Sequence, residues 1–279
     1  MLFAQWRSTD NDLIVIGFNS DYTDMLKNTI CRFRQLGINN YVAVAFNAEA
    51  LALCRKEALP CIPGYDDSYN AKGDAALFGS TEFRALTKLK SRQVLRFLEA
   101  GFNVLWTDVD VFWFKNPLPD FRNDKYSRYE ILIQSNAPEV ETEANGYRRI
   151  NSGLYYVKSS SSSIAAFSSI VRHAASSTLS EQPSFYSILC GDDQQHALGS
   201  DACMNADLNI NTYFLPREAY PNGNTTIWQN IQYPQKYPRS LSIIHNNWIA
   251  GHDAKMERFA KAGLIQYDPA SGCKGFDRK

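Results

Sequence analysis

The stretch GFNVLWTDVDVFWFKNPLP, residues 101–119, decides how this chain is read. Asn103 to Asp108 is a short apolar run after a glycine, the pattern of a strand buried on both faces. It leads straight into two carboxylates, Asp108 and Asp110, with one residue between them. Residues i and i+2 of an extended segment project to the same side. Open parallel sheets bind ligands at the carboxyl ends of their strands. Hard carboxylate oxygens there suit Mn²⁺ or Mg²⁺, and such an ion bridges the phosphates of a nucleotide diphosphate. A bare D-x-D triplet is common and often marks surface acids. This one is framed by an apolar strand and by Val111-Phe112-Trp113-Phe114, and two negative charges in that frame are costly without a cation.

Upstream, a helix is expected from Thr81 to Ala100, ended by Gly101. Phe83, Leu86, Val94 and Phe97 form its apolar stripe, and Lys90 falls in the middle of it. Lys90 lies ~15 Å from the helix end at ~1.5 Å per residue. Asp108 lies ~17 Å along the next strand at ~3.3 Å per residue. Lys90 is therefore level with Asp108, and pairs with it or with a ligand unless it snorkels to water. Further upstream come a strand at Leu13–Phe18 and a helix capped by Asp21, striped by Leu26, Ile30 and Phe33 and ended by Gly37. A strand at Tyr41–Phe46 and a helix stopped by Pro60 follow. This β-α-β-α order implies a parallel sheet with helices on both faces.

Downstream, Glu130–Ser135, Gly153–Val157 and Ser240–His245 read as strands. The serines 159–163 read as a loop leading to a helix marked by Ile164, Phe167, Ile170 and Ala174. Residues 216–238 are rich in Pro, Asn, Gly and Tyr and read as a functional surface loop. There is no repeat and no linker. One domain is expected over 1–279, with a nucleotide-binding half at about 10–115 and a second half at about 116–279.

IIHNNWIAGHDAKMERF, residues 243–259, repeats the pattern of strand, ligand-type residue, glycine and helix start. His245 offers a third metal ligand, or is a satisfied core histidine. Gly251 permits close backbone approach, and Asp253 is placed to cap the helix. Lys255 falls in the first turn, where the helix dipole already favours phosphate. A cation there needs an anion, and a phosphate would serve. Asn151-Ser152-Gly153 and Gly191-Asp192-Asp193-Gln194-Gln195, the latter read as a loop-to-helix start, offer groups for sugar hydroxyls. Taken alone, both are also ordinary turn and cap chemistry.

The 279 residues carry 29 basic and 29 acidic side chains, a formal net charge of zero that excludes general nucleic-acid binding. None of the six cysteines forms a C-x-x-C pair, which argues against a zinc cluster. Their even number permits disulfides, and free thiols are equally compatible. With the sequon Asn224-Thr225-Thr226 they favour a Golgi or secretory lumen over the cytoplasm. No apolar run reaches the ~18–20 residues that cross a bilayer, so a soluble catalytic domain is expected, its anchor absent here.

Taken in order, WTDVDVFWFKNPLP, INSGLYYV, DDQQ and HNNWIAGHDAK resemble the nucleotide-diphospho-sugar transferases of glycosyltransferase family 77. That family includes plant rhamnogalacturonan-II xylosyltransferases and extensin arabinosyltransferases. GFNSDYTDMLKNTICRFRQLGINNYVAVAFN looks like its opening βαβ unit, so the resemblance spans about residues 13 to 260. It implies an α/β, Rossmann-like GT-A fold, a UDP-sugar donor, Mn²⁺ (or Mg²⁺) and retention of anomeric configuration. It implies Asp108, Asp110 and His245 as metal ligands. Asn19, Lys90, Asp108, Asn151, Gly251 and Lys255 then face the nucleotide sugar, and Asp193 and Gln194 lie behind the anomeric carbon. The expected reaction moves xylose or galactose to a hydroxyl of a glycan or glycoprotein, with residues 116–279 as the acceptor-side half and the 216–238 loop and the Phe112–Phe114 aromatics as the expected acceptor contacts. An inverting transferase and an inactive sugar-nucleotide-binding module are the alternatives. A nucleotidyltransferase is disfavoured, because no glycine-rich phosphate loop opens the chain.

Overall fold

The apolar runs pair side by side in a computed structural model, which describes residues 2–65, 79–137, 150–191 and 201–275. The first half runs α1 (Leu2–Arg7), β1 (Asp12–Phe18), α2 (Thr23–Gln35), β2 (Tyr41–Ala45), α3 (Ala48–Lys56) and β3 (Cys61–Pro63). It continues with α4 (Thr81–Glu99), β4 (Asn103–Asp108), β5 (Val111–Trp113) and α5 (Leu118–Phe121). The second half adds β6 (Ile131–Ser135), β7 (Ile150–Val157), α6 (Ser161–Ser176), α7 (Gln182–Cys190), β8 (Ala202–Asn205) and β9 (Ile210–Leu215). Then follow β10 (Ile243–His245), α8 (His252–Lys261), β11 (Tyr267–Asp268) and β12 (Gly272–Cys273).

Among the described residues the main sheet has eight strands in the order β3-β2-β1-β4-β7-β6-β9-β8. The first four are parallel, and β6 and β9 pair parallel. β7 runs antiparallel between β4 and β6, and β8 is an antiparallel edge. Period-2 alternation divides the strands between two cores. Ile14 and Ile16 join α2 and α3 on one face. Leu13 and Val15 join α4, α6 and α7 on the other. Helices thus cover both faces, as the alternation of elements implies.

Two pairings build the site. The antiparallel β7 brings its N-terminal end beside the carboxyl end of β4, with Thr107 opposite Leu154. β10 pairs antiparallel with β5, placing His245 opposite Val111. The end of the chain is fastened by a Cys31–Cys273 disulfide to α2. Cys54–Cys61 and Cys190–Cys203 pair as well, so no cysteine is free.

Several local expectations are corrected. Asp21 does not cap α2: it lies in a 3₁₀ turn, Ser20–Tyr22, that precedes the helix. Asp253 is not a cap either, because α8 starts one residue earlier with Gly251 at its cap position. The serine run is the helix start rather than a loop. Ser160 and Ser163 close a reciprocal capping box, which satisfies two otherwise free N–H groups. α3 ends at Lys56, before Pro60. Gly191 ends α7 with φ 92°, and the rest of the expected loop-to-helix start, from Asp192 on, lies outside the described residues. Phe112, Trp113 and Phe114 are buried, and Phe112 and Phe114 pack with Leu241, Ile244 and Phe259. Their side chains face the core, so they do not offer acceptor contacts.

Candidate active site

Asp108 ends β4, Asp110 follows the turn to β5, and His245 ends β10. One ligand atom from each lies within 4.8 Å of the others. Each carboxylate is held by a lysine. Lys90 Nζ donates to both oxygens of Asp108 at 2.7 and 2.9 Å, and Trp106 Nε1 donates to Oδ1 at 3.2 Å. Lys255 Nζ donates to Asp110 Oδ2 at 2.6 Å. The anion that Lys255 requires at the start of α8 is thus Asp110 in this structure, where a phosphate was expected.

Burial alone pushes the Asp110 carboxyl up, but Lys255 and His245 outweigh it and hold it well below the usual range. Burial lowers Lys90 and Lys255, and their carboxylate partners more than reverse this, so both lysines are raised. Both ammonium groups are therefore charged at neutral pH.

The imidazole of His245 is fixed from behind. Gln134 donates its amide hydrogens to the carbonyls of Tyr220 and Pro221, both at 3.0 Å. Only its Oε1 is left for His245 Nδ1, at 2.8 Å, so Nδ1 must carry the hydrogen. Nε2 then faces Asp110 Oδ1, 3.3 Å away. A proton or a cation fits between an imidazole nitrogen and a carboxylate oxygen at this distance. This is the geometry of a metal-ligating histidine oriented by an outer hydrogen bond. The donor set of two carboxylates and one imidazole fits Mn²⁺ or Mg²⁺.

Gly153 keeps this corner open. A Cβ there would lie 2.8 Å from Asp108 Oδ2 and would meet the His245 ring. Asn151 accepts from the Gly153 N–H at 2.9 Å. Behind Lys90, the buried Glu181 accepts from the Ser152 hydroxyl at 2.9 Å. Burial pushes its carboxyl up, against the pull of Lys90 and Ser152.

A cavity opens from the carboxylates toward β1. Gly17, Asn19 and Tyr22 line it, with Phe83, Leu86 and Lys90 from α4, and Lys255. The Asn19 Oδ1 is buried there without a hydrogen-bond partner. Gly251 lies at the cap of α8 with φ 86°, and a Cβ on it would meet nothing within 4 Å. The structure therefore gathers Asn19, Lys90, Asp108, Asp110, Asn151, His245 and Lys255 around one corner. Asp193 and Gln194 lie outside the described residues. Sequence reasoning did not single out Gln134, Glu181 or Tyr22. A glutamine inside the apolar EILIQS run was the available signal for Gln134; Glu181 carries no motif.

An eight-stranded, mostly parallel sheet with paired carboxylates at its carboxyl edge defines the class: the fold is GT-A-type. The solved structure of the glycosyltransferase GlyE of Streptococcus pneumoniae TIGR4 superposes with a TM-score of 0.50 at 9% identity, covering 95% of this chain and 66% of that one. The chain belongs to the nucleotide-diphospho-sugar transferase family, whose sequence profile matches residues 36–259. It is 39% identical over 261 residues to the beta-arabinofuranosyltransferase RAY1 of Arabidopsis thaliana, covering 92% of this chain and 47% of that one. It is 24% identical over 279 residues to an Arabidopsis thaliana UDP-D-xylose:L-fucose alpha-1,3-D-xylosyltransferase, covering 95% and 72%. The chain spans about half the length of most of the curated relatives it matches. Among the described residues, no helix is long and apolar enough to cross a membrane.

Proposed function

We propose that this chain transfers a sugar from a UDP-sugar to a hydroxyl of a glycan, using a divalent cation held by Asp108, Asp110 and His245. The observation that carries the reading is the convergence of His245 Nε2 with the Asp108 and Asp110 carboxylates, the other ring nitrogen being committed to Gln134. When bound, Mn²⁺ or Mg²⁺ supplies positive charge to the diphosphate leaving group. Lys255 and Lys90 are aimed at the same corner and hold phosphate oxygens there as point charges. The Asn19 acceptor, orphaned at the cavity wall, takes an N–H or O–H of the nucleoside. Asn151 lies on the other side of Asp108 and grips the sugar, while Asp193 or Gln194 stabilises the anomeric carbon as positive charge develops. Gly251 lets the backbone approach the diphosphate.

Retention of configuration follows if the acceptor hydroxyl attacks from the leaving-group face and gives its proton to a diphosphate oxygen. The names of the relatives make arabinofuranose and xylose the first donors to try, with galactose beside them. The three disulfides and an exposed Asn224 in its sequon support a secretory lumen, the Golgi included. The test is a panel of UDP-arabinofuranose, UDP-xylose and UDP-galactose, assayed for hydrolysis with Mn²⁺ and with chelator. Metal-dependent turnover of one donor is expected, with the product anomer read by NMR. No turnover of any donor, with no UDP binding, would remove the reading.

A further inference from the structure

We infer that Trp248 is the platform on which a neutral sugar ring of the acceptor glycan lies. This deepens the transferase reading above and rests on it. Three observations meet at this residue. Its side chain is half-exposed, at 50%, whereas Trp106 and Trp113 near the carboxylates are buried. Its backbone sits at φ 58°, the left-handed region that a bulky side chain occupies only when its surroundings enforce it. Its indole is also pinned: Nε1 donates to Asn136 Oδ1 at 2.9 Å.

That oxygen is the centre of a bracket. Asn247 Nδ2 reaches it at 3.0 Å and Asn151 Nδ2 at 3.3 Å. Asn247 is braced in turn, its Oδ1 accepting from the Gly223 N–H at 2.6 Å. An indole held by its N–H and half-exposed presents apolar ring surface to solvent in a fixed orientation. A pyranose or furanose ring, with C–H groups on one face and hydroxyls around its rim, matches that surface. The amphipathic character of tryptophan suits it to such half-wet sites.

The placement selects the acceptor over the nucleotide. Along the sheet, β1 lies on one side of β4 and β7 on the other. The cavity with Gly17, Asn19 and Tyr22 opens on the β1 side. The bracket is built from the ends of β7 and β6, at Asn151 and Asn136, on the opposite side of Asp108. Three hydrogen bonds in series link the indole to Gly153, which closes on Asp108 and His245. The bracket is made of amides, and the nearby Arg258 guanidinium is spent on the carbonyls of Gly223 and Asn247 and on the Trp228 ring. Amides without a free charge suit the hydroxyls of a neutral sugar better than a uronate.

The test compares Trp248→Ala and Trp248→Phe with the parent protein. Alanine keeps the left-handed backbone disfavoured to a similar degree, and phenylalanine keeps an aromatic face without the N–H. Probes are methyl α-L-fucopyranoside and short arabino-oligosaccharides, assayed with the donor that turns over. For the probe used as acceptor, Trp248→Ala should raise KM at least about tenfold while donor KM moves less than about threefold. Trp248→Phe should recover most of the loss. An unchanged acceptor KM in Trp248→Ala, or equal losses in donor and acceptor KM, would overturn the proposal. If no donor turns over, fluorescence titration with the same sugars decides the platform separately. Saturable quenching in the parent that Trp248→Ala abolishes upholds it, and its absence rejects it.

Discussion

Replacing Gly153 by alanine adds one methyl group at the most crowded point of the site. The new Cβ would stand 2.8 Å from Asp108 Oδ2 and 3.0 Å from Asn151 Oδ1, and it would also meet the His245 ring. None of the three can yield cheaply. Asp108 is clamped by Lys90 and Trp106, His245 is buried and tied to Gln134, and Asn151 caps the Gly153 N–H. Inserting a methyl group into a packed site costs about 1–3 kcal/mol. If the strain is relieved by displacing the ligands, the loss falls on metal affinity, and about 1.4 kcal/mol is tenfold. Gly153→Ala should therefore bind Mn²⁺ about ten- to a hundredfold more weakly in calorimetry with UDP present. The protein should still unfold in one cooperative transition. Mn²⁺ affinity within about twofold of the parent would refute the assignment of this corner to the metal.

Two further outcomes follow from the charges. Lys255→Met leaves Asp110 buried without its closest cation, a loss of about 3–5 kcal/mol when one partner of a buried pair is removed. Adding Asp110→Asn should return part of the lost thermal stability, and strictly additive losses would deny the pairing. Burial lowers His252, but its hydrogen bonds to Asp253 and Asp24 outweigh this and raise it above the ordinary 6.5. Its stabilising contribution is then fully present below 6.5 and lost as pH rises through the raised folded value. The stability gap between the parent and His252→Gln, under about 1 kcal/mol at this partly exposed site, should narrow as pH rises from below 6.5 through the raised folded value. A gap that widens with pH would contradict the sign.

Legibility followed the physics that decides each feature. β4 and α4 were readable nearly to the residue, because periodicity, glycine stops and length act locally. The level match of Lys90 and Asp108 followed from rise per residue alone and reappears as a 2.7 Å contact. The metal-type cluster was readable because its residues sit at strand ends. What resisted reading depends on non-local pairing. That β7 inserts antiparallel beside β4 is a property of the assembled sheet, and it decides what Gly153 and Asn151 face. The burial of Phe112 and Phe114 follows from the packing of α8 and β10, and that of Trp113 from α2, which their own sequence does not announce. Caps were misplaced at Asp21 and Asp253 because an acidic residue in a first turn resembles a cap in sequence, and only backbone angles separate the two. Glu181 and the bracket at Asn136 join groups that lie far apart in the chain.

The central claim is that Asp108, Asp110 and His245 hold a divalent ion on which nucleotide-diphosphate binding depends. Calorimetric titration of UDP into the parent protein and Asp110→Asn, each with Mn²⁺ and with chelator, tests it most directly. The account predicts that Mn²⁺ tightens UDP binding strongly in the parent and that Asp110→Asn loses this gain while remaining folded. UDP affinity independent of Mn²⁺ in the parent, or an undiminished Mn²⁺ effect in Asp110→Asn, would contradict it.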